Sequence, residues 1–172
     1  VEPNSVEEKK MFTEPYIGIT SDGAPIEDLY PIKKTGASTI PIKNAVIAFI
    51  ASLTKEQKLA STFPIASNEW RRWHNIENWR RAGVCFEDLN VKQKELAFAF
   101  LKESLSSQGL KKATNIMTME AYLASLVPEN KDLGGEKYWF TFMGTPSDTE
   151  PCGLLLYTSD AYYDPLCVNF VG

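Results

Sequence analysis

No apolar run in this chain approaches the roughly 18 residues that a membrane-crossing helix needs. The longest, Ala45 to Leu53, has the length of a core helix. Histidine is almost missing: His74 is the only one. The three cysteines, Cys85, Cys152 and Cys167, lie far apart with no C-x-x-C pair. One histidine and scattered thiols exclude a zinc or copper site of the usual kind. They read instead as small buried hydrophobes. Excess positive charge is also lacking, since the formal net charge is −4. A general nucleic-acid binder would need a basic face, so that class is set aside together with a membrane-spanning one. Neither a glycine-rich phosphate loop nor a dinucleotide fingerprint is present. No metal and no cofactor are expected, and Asp148, Glu150, Asp160 and Asp164 read as solvated acidic turns.

Arginine is absent everywhere except in one stretch, Asn68 to Gly83. That stretch holds Arg71, Arg72, Arg80 and Arg81, the lone His74, and Trp70, Trp73 and Trp79 of the four tryptophans. All other basic residues are lysine. A guanidinium is planar, binds carboxylate or phosphate through two parallel hydrogen bonds, and stacks on aromatic faces. The cluster therefore has two readings. In one, the arginines clamp an anion beside an indole-rich face. In the plainer one, Trp70 and Trp73 anchor a core and the arginines pair with Glu69, Glu77, Glu87 or Asp88.

With 172 residues, the chain is long enough for one domain with a sizeable core. Residues 1–15 read as a loose arm and residues 16–172 as a single domain. Tyr16 to Thr20 alternates like a short strand before the turn Ser21-Asp22-Gly23. Pro41 suits a first helical turn, and Ala45 to Ile50 continue an apolar helix to Leu53. Thr54 with Gln57, and Asn90 with Gln93, have the spacing of capping boxes. They predict helices running to about Thr62 and Ser107. Ser67 or Asn68 is placed to cap a helix carrying Trp70 and Trp73 on one largely buried face. Ala97, Phe100, Leu101 and Leu105 make a buried stripe, with Gly109 as a left-handed cap. A last helix is expected from about Lys111 to Leu126, with Met117 and Met119 as core filler. Tyr138 to Met143, Gly153 to Tyr157 and Leu166 to Val171 read as strands. The expected architecture is α+β: a helical front half followed by a short antiparallel sheet.

Catalytic candidates are few. His74 is the only side chain whose unperturbed pKa lies near neutrality, and Ser147 or Asp160 would have to work with it. Gly144-Thr145-Pro146-Ser147 is not a G-x-S-x-G nucleophile elbow. Pro146 and Asp148 around Ser147 suit a turn in which the hydroxyl caps backbone.

Several short motifs, in order, carry a family resemblance. They are Ile19-Thr20-Ser21-Asp22-Gly23, Thr35-Gly36-Ala37-Ser38-Thr39, Trp70-Arg71-Arg72-Trp73, Arg81-Ala82-Gly83-Val84, Leu105-Ser106 and Met143 to Pro151. In these the chain resembles the family catalogued as domain of unknown function 3500. That family follows its Glu-Pro with G-W-Q-x-D-G-H-H. Here Cys152 and Leu154-Leu155-Leu156 stand in the first part, and Asp160-Ala161-Tyr162-Tyr163 in place of D-G-H-H. Both histidines are lost, and the resemblance implies a diverged or truncated member with a fold and a site region but no assigned reaction.

The resulting expectation is a soluble domain that binds a small anionic or aromatic molecule. Trp70, Arg71, Arg72, Trp73, Arg80, Arg81 and Ser147 would line the site, near the Gly-Thr-Pro-Ser turn. The alternatives are an enzyme of small-molecule metabolism, hydrolytic or metal-assisted, and an interaction module completed by a partner. A sheet cut short would leave an edge open to self-association.

Overall fold

The computed structural model describes residues 10, 36, 38–72, 81–150, 152–158 and 166–170. Thr39–Gly172 forms one compact unit and Glu2–Ser38 another, and every element below belongs to the first. The expected arm, Lys10 apart, and the expected strand Tyr16–Thr20 lie outside the described residues.

Helix α1 spans Ile40–Ser52, with Pro41 in its first turn. Its buried residues Ile42, Val46 and Phe49, followed by Leu53, recur every three or four positions and form one stripe. Helix α2, Lys55–Ser61, starts at the predicted Thr54–Gln57 capping box. Strand β1, Thr62–Phe63, succeeds it at once. Farther along the chain are β2, Val84–Cys85, and a 3-10 turn over Phe86–Asp88. Helix α3, Val91–Ser104, opens on the Asn90–Gln93 capping box. Helix α4 runs over Ser107–Leu126, and strands β3, Tyr138–Met143, β4, Cys152–Thr158, and β5, Leu166–Phe170, complete the unit.

The fold class is α+β, but the sheet is mixed rather than antiparallel. β4 pairs antiparallel with β3, and β5 with β4. On its other edge β3 is shared end to end by two short strands. β2 is antiparallel to it, and β1 is parallel, with Thr62 opposite Phe142 and Phe63 opposite Met143. A parallel pair requires a long crossover, and here α3 and α4 lie within that connection. A two-residue strand is too short to show a period in the sequence.

Two other expectations change. α4 begins at Ser107, and Gly109 lies in its first turn, where its N–H donates to the Ser106 side chain at 3.0 Å. Gly109 is thus part of an N-terminal cap, because only Leu105 and Ser106 separate α3 from α4 and leave no room for a left-handed cap. Met119 is not core filler. It is exposed, whereas Met117 packs against the core.

Alternation along β3 sends Tyr138, Phe140 and Phe142 toward the helices. Phe140 and Phe142 meet Phe49 of α1 and Phe100 of α3 with ring centroids 5.3–6.0 Å apart in tilted or edge-on contact. Thr141 and Met143, on the opposite face, are also fully buried.

A buried amide ties the helical layer together. Gln93 Nε2 donates to Ser52 O at the end of α1 (2.9 Å) and to Gln57 Oε1 (2.8 Å). Gln57 Oε1 also accepts from Thr54 N, and Gln93 Oε1 accepts from Asn90 N. The two capping boxes are therefore joined side chain to side chain, and the end of α1 and the starts of α2 and α3 meet at one point. Gln93→Leu would strip donors from two part-buried acceptors and undo one cap. It is expected to lower stability by roughly 2–4 kcal/mol in urea titration. A loss below about 1 kcal/mol would mean that water replaces the amide.

Candidate functional site

Of the residues that sequence reading singles out, Trp70, the Gly144 turn and Arg81 adjoin the β1–β2 edge of β3. β1 leads into Pro64 and Ile65, and Gly144 N, at the exit of β3, donates to Phe63 O at 2.8 Å. Two residues on, the Ile65 carbonyl accepts from the Trp70 indole N–H, also at 2.8 Å. The Gly-Thr-Pro-Ser turn and Trp70 are thus both fastened to the short segment Phe63–Ile65.

Trp70 does not sit on the expected α-helix. Ser67 caps a single 3-10 turn, Asn68–Arg71, by accepting from Glu69 N at 3.2 Å. Trp70 is half-buried rather than largely buried. Arg71 is half-buried and Arg72 exposed, with an Arg72 nitrogen 3.9 Å from Glu69 Oε2. This is one of the carboxylate pairings the plainer reading anticipates. Trp73, His74, Arg80 and Asp160 lie outside the described residues.

Ser147 is occupied by its own turn. Its Oγ accepts from Thr149 N at 3.1 Å and Glu150 N at 3.2 Å, and it lies 3.3 Å from Thr149 Oγ1. Asp148, next along, pairs with Lys43 of α1 and holds the turn against the helical layer.

Arg81, among the described arginines, is in contact with a residue of β3. Its guanidinium carbon lies 5.3 Å from the centroid of the Trp139 ring. Burial pulls the Arg81 pKa below its ordinary value, while the charge of Asp132 works in the opposite direction. Its position results from Gly83. There φ is +110°, and a Cβ would stand 2.5 Å from Phe140 O and 2.6 Å from Thr141 Oγ1. Gly83 N donates to Ala60 O at 2.9 Å, and Thr141 Oγ1 donates to Ala82 O at 3.0 Å. Only glycine lets Arg81-Ala82-Gly83 lie directly on β3.

Sequence reading missed Trp139 and Asp132 as members of this neighbourhood. The signal for Trp139 was available in the alternation of β3, which sets Trp139 on the face opposite Tyr138 and Phe140. Asp132 belongs to the loop after α4, and no local pattern links it to Arg81. Among the described residues, no group of three or more His, Cys, Asp or Glu side chains is placed to hold a metal ion. A cavity of about 30 Å³ lies elsewhere, between α3, α4 and the sheet. Its walls include Phe98, Leu105, Met117 and Tyr138, and none of the arginines.

Cys85 faces Trp139 across the β2–β3 pair, and its thiol points to Glu136 O at 3.6 Å. Burial, the largest influence, pushes its pKa up. The folded thiol should resist iodoacetamide at a pH of about 8 and be labelled only on unfolding. Because the folded pKa lies above the unfolded one, the stability linked to this thiol is complete below the unfolded value. It is lost as pH rises through the folded one. Rapid labelling of Cys85 in native protein would contradict this placement.

Gly83→Ala should destabilise the protein by about 2–5 kcal/mol, from the backbone strain and the forced separation from β3 together. Denaturant unfolding measures it, and the Arg81–Trp139 contact should weaken in parallel, seen as a change in tryptophan fluorescence.

Neither the curated proteins nor the solved structures give a match to this chain. A protein-family model does match, over residues 35–158. The match contains the Trp-Arg-Arg-Trp, Arg-Ala-Gly-Val and Gly-Thr-Pro-Ser motifs. It ends at Thr158. Covering well over half of the sequence and the sheet edge just described, this match makes the chain a member of the family described as "Protein of unknown function (DUF3500)".

Proposed function

We propose that this domain binds a small anionic or aromatic molecule at the β1–β2 edge of β3, with Arg81 as the principal anion-binding group. Arg81 stacked on Trp139 carries this reading. A partly desolvated guanidinium on an indole face interacts with a carboxylate more strongly than one in free solvent, because less water screens the charge. Trp70, fastened two residues from the Gly144 turn, adds a second half-exposed aromatic surface beside that edge. Arg71 and Arg72 add positive potential near it. Ser147 serves as the turn's internal cap and contributes shape rather than a reacting hydroxyl. The remaining members of the proposed set are Trp73 and Arg80.

A melting-temperature screen tests the proposal with benzoate, 4-hydroxybenzoate and inorganic phosphate. At least one of these should raise the melting temperature of the wild-type chain in a saturable way. Arg81→Lys should then weaken binding by about tenfold or more, because an ammonium lacks the planar fork. Trp139→Leu should weaken the aromatic acids more than phosphate. Absence of any saturable shift, or equal binding by Arg81→Lys, would remove the site.

A further inference from the structure

Helix α4 carries apolar side chains on its outer face as well as on the face that packs against the core. Glu120 is the only residue of its twenty classed as buried, and it accepts a hydrogen bond from the Tyr138 hydroxyl at 2.7 Å. Meanwhile Met119, Tyr122, Leu123 and Leu126 are 64, 67, 39 and 60% exposed. Their spacing of three, four and seven places them on one stripe across two turns, the pattern by which helices pack on one another.

The surroundings of the stripe narrow what fits it. From Ala113 to Pro128 the only charged residue is Glu120, which is turned inward. The exposed neighbours are Asn115, Thr118, Ala121 and Ser125. A partner recognised through charge, such as an acidic or basic peptide, a phosphate backbone or an anionic membrane, finds nothing to pair with here. Depletion of charge around aromatic and Met side chains is the composition of an interface centre. For a chain of net charge −4, self-contact through an acidic face would bring like charges together. This one would not, and two copies of α4 laid antiparallel would also oppose their helix dipoles favourably.

We infer that the α4 stripe is an isologous contact between two copies of this chain, an antiparallel helix pair centred near Tyr122 and Leu123. The area sets its strength. The four side chains expose roughly 500 Å² per copy, so pairing buries about 1,000 Å², at the lower limit for a specific interface. The dimer is accordingly weak and concentration-dependent. This inference is independent of the anion site.

Sedimentation equilibrium of the 172-residue chain from about 5 to about 500 µM tests it. Wild type should shift from monomer toward dimer within that range. Leu126→Glu and, separately, Met119→Lys should each weaken association at least tenfold with unchanged circular dichroism, since both side chains are mostly exposed in the monomer. A wild-type chain that stays monomeric throughout would overturn the inference and leave the stripe to a different partner. A dimer that survives both substitutions would overturn it as well, by placing the contact elsewhere, the open sheet edge included.

Discussion

Gly83 lies so close against β3 that no side chain fits there, and the candidate site depends on that approach. With a Cβ excluded by Phe140 O and Thr141 Oγ1, the chain can sink onto the strand at that point. This has three consequences. β2 can begin at Val84 in register with Phe140. The Ala82 carbonyl can satisfy the otherwise buried Thr141 hydroxyl. Arg81 is carried over Trp139 rather than out into solvent. A side chain at residue 83 would act on all three together, so the Arg-Ala-Gly-Val motif is a structural unit as well as a source of positive charge.

Opposite this edge, the helical layer is organised by polar groups more than by helix length. α1, α2 and α3 are short, and isolated helices of such length are marginal in water. Their ends are secured where the Gln93 amide joins the two capping boxes, while Phe49 and Phe100 supply the apolar contact to β3. Lys43 then reaches across to Asp148 and links α1 to the turn leaving β3. Helical layer and candidate site are mechanically connected through that turn, so damage to the Gln93 cluster should reach the site indirectly.

α4 stands apart from this arrangement. Its inward contacts are made by Glu120, Met117 and their neighbours, and the loop after it returns closely over the helix. A Cβ on Gly135 would stand 2.5 Å from Met117 O. That loop delivers Glu136, whose carbonyl accepts from Glu87 N and Tyr138 N and whose carboxylate pairs with Lys94. It also carries Asp132 to within electrostatic reach of Arg81. The helix thus reaches Arg81 through its C-terminal loop, while its own outer face carries apolar surface.

Much of the fold was determined by local sequence. Thr54–Gln57 and Asn90–Gln93 marked two helix starts because capping is a matter of adjacent residues, and Tyr138–Met143 declared itself a strand by composition alone. The family was legible too, since its motifs are short contiguous strings. What only the tertiary structure decided involves residues distant in sequence. The parallel pairing of β1 rests on two residues whose partner lies eighty positions away. The single 3-10 turn at Trp70 is fixed by its indole bond to Ile65, a preference that helical spacing does not encode. Arg81 met Trp139 because Gly83 allows close approach, and Met119 faces outward because Glu120, its neighbour, finds Tyr138 inside. Local hydrogen bonds and periodicity can be read along a chain, whereas steric exclusion and buried polar partnership exist only once the chain has folded onto itself.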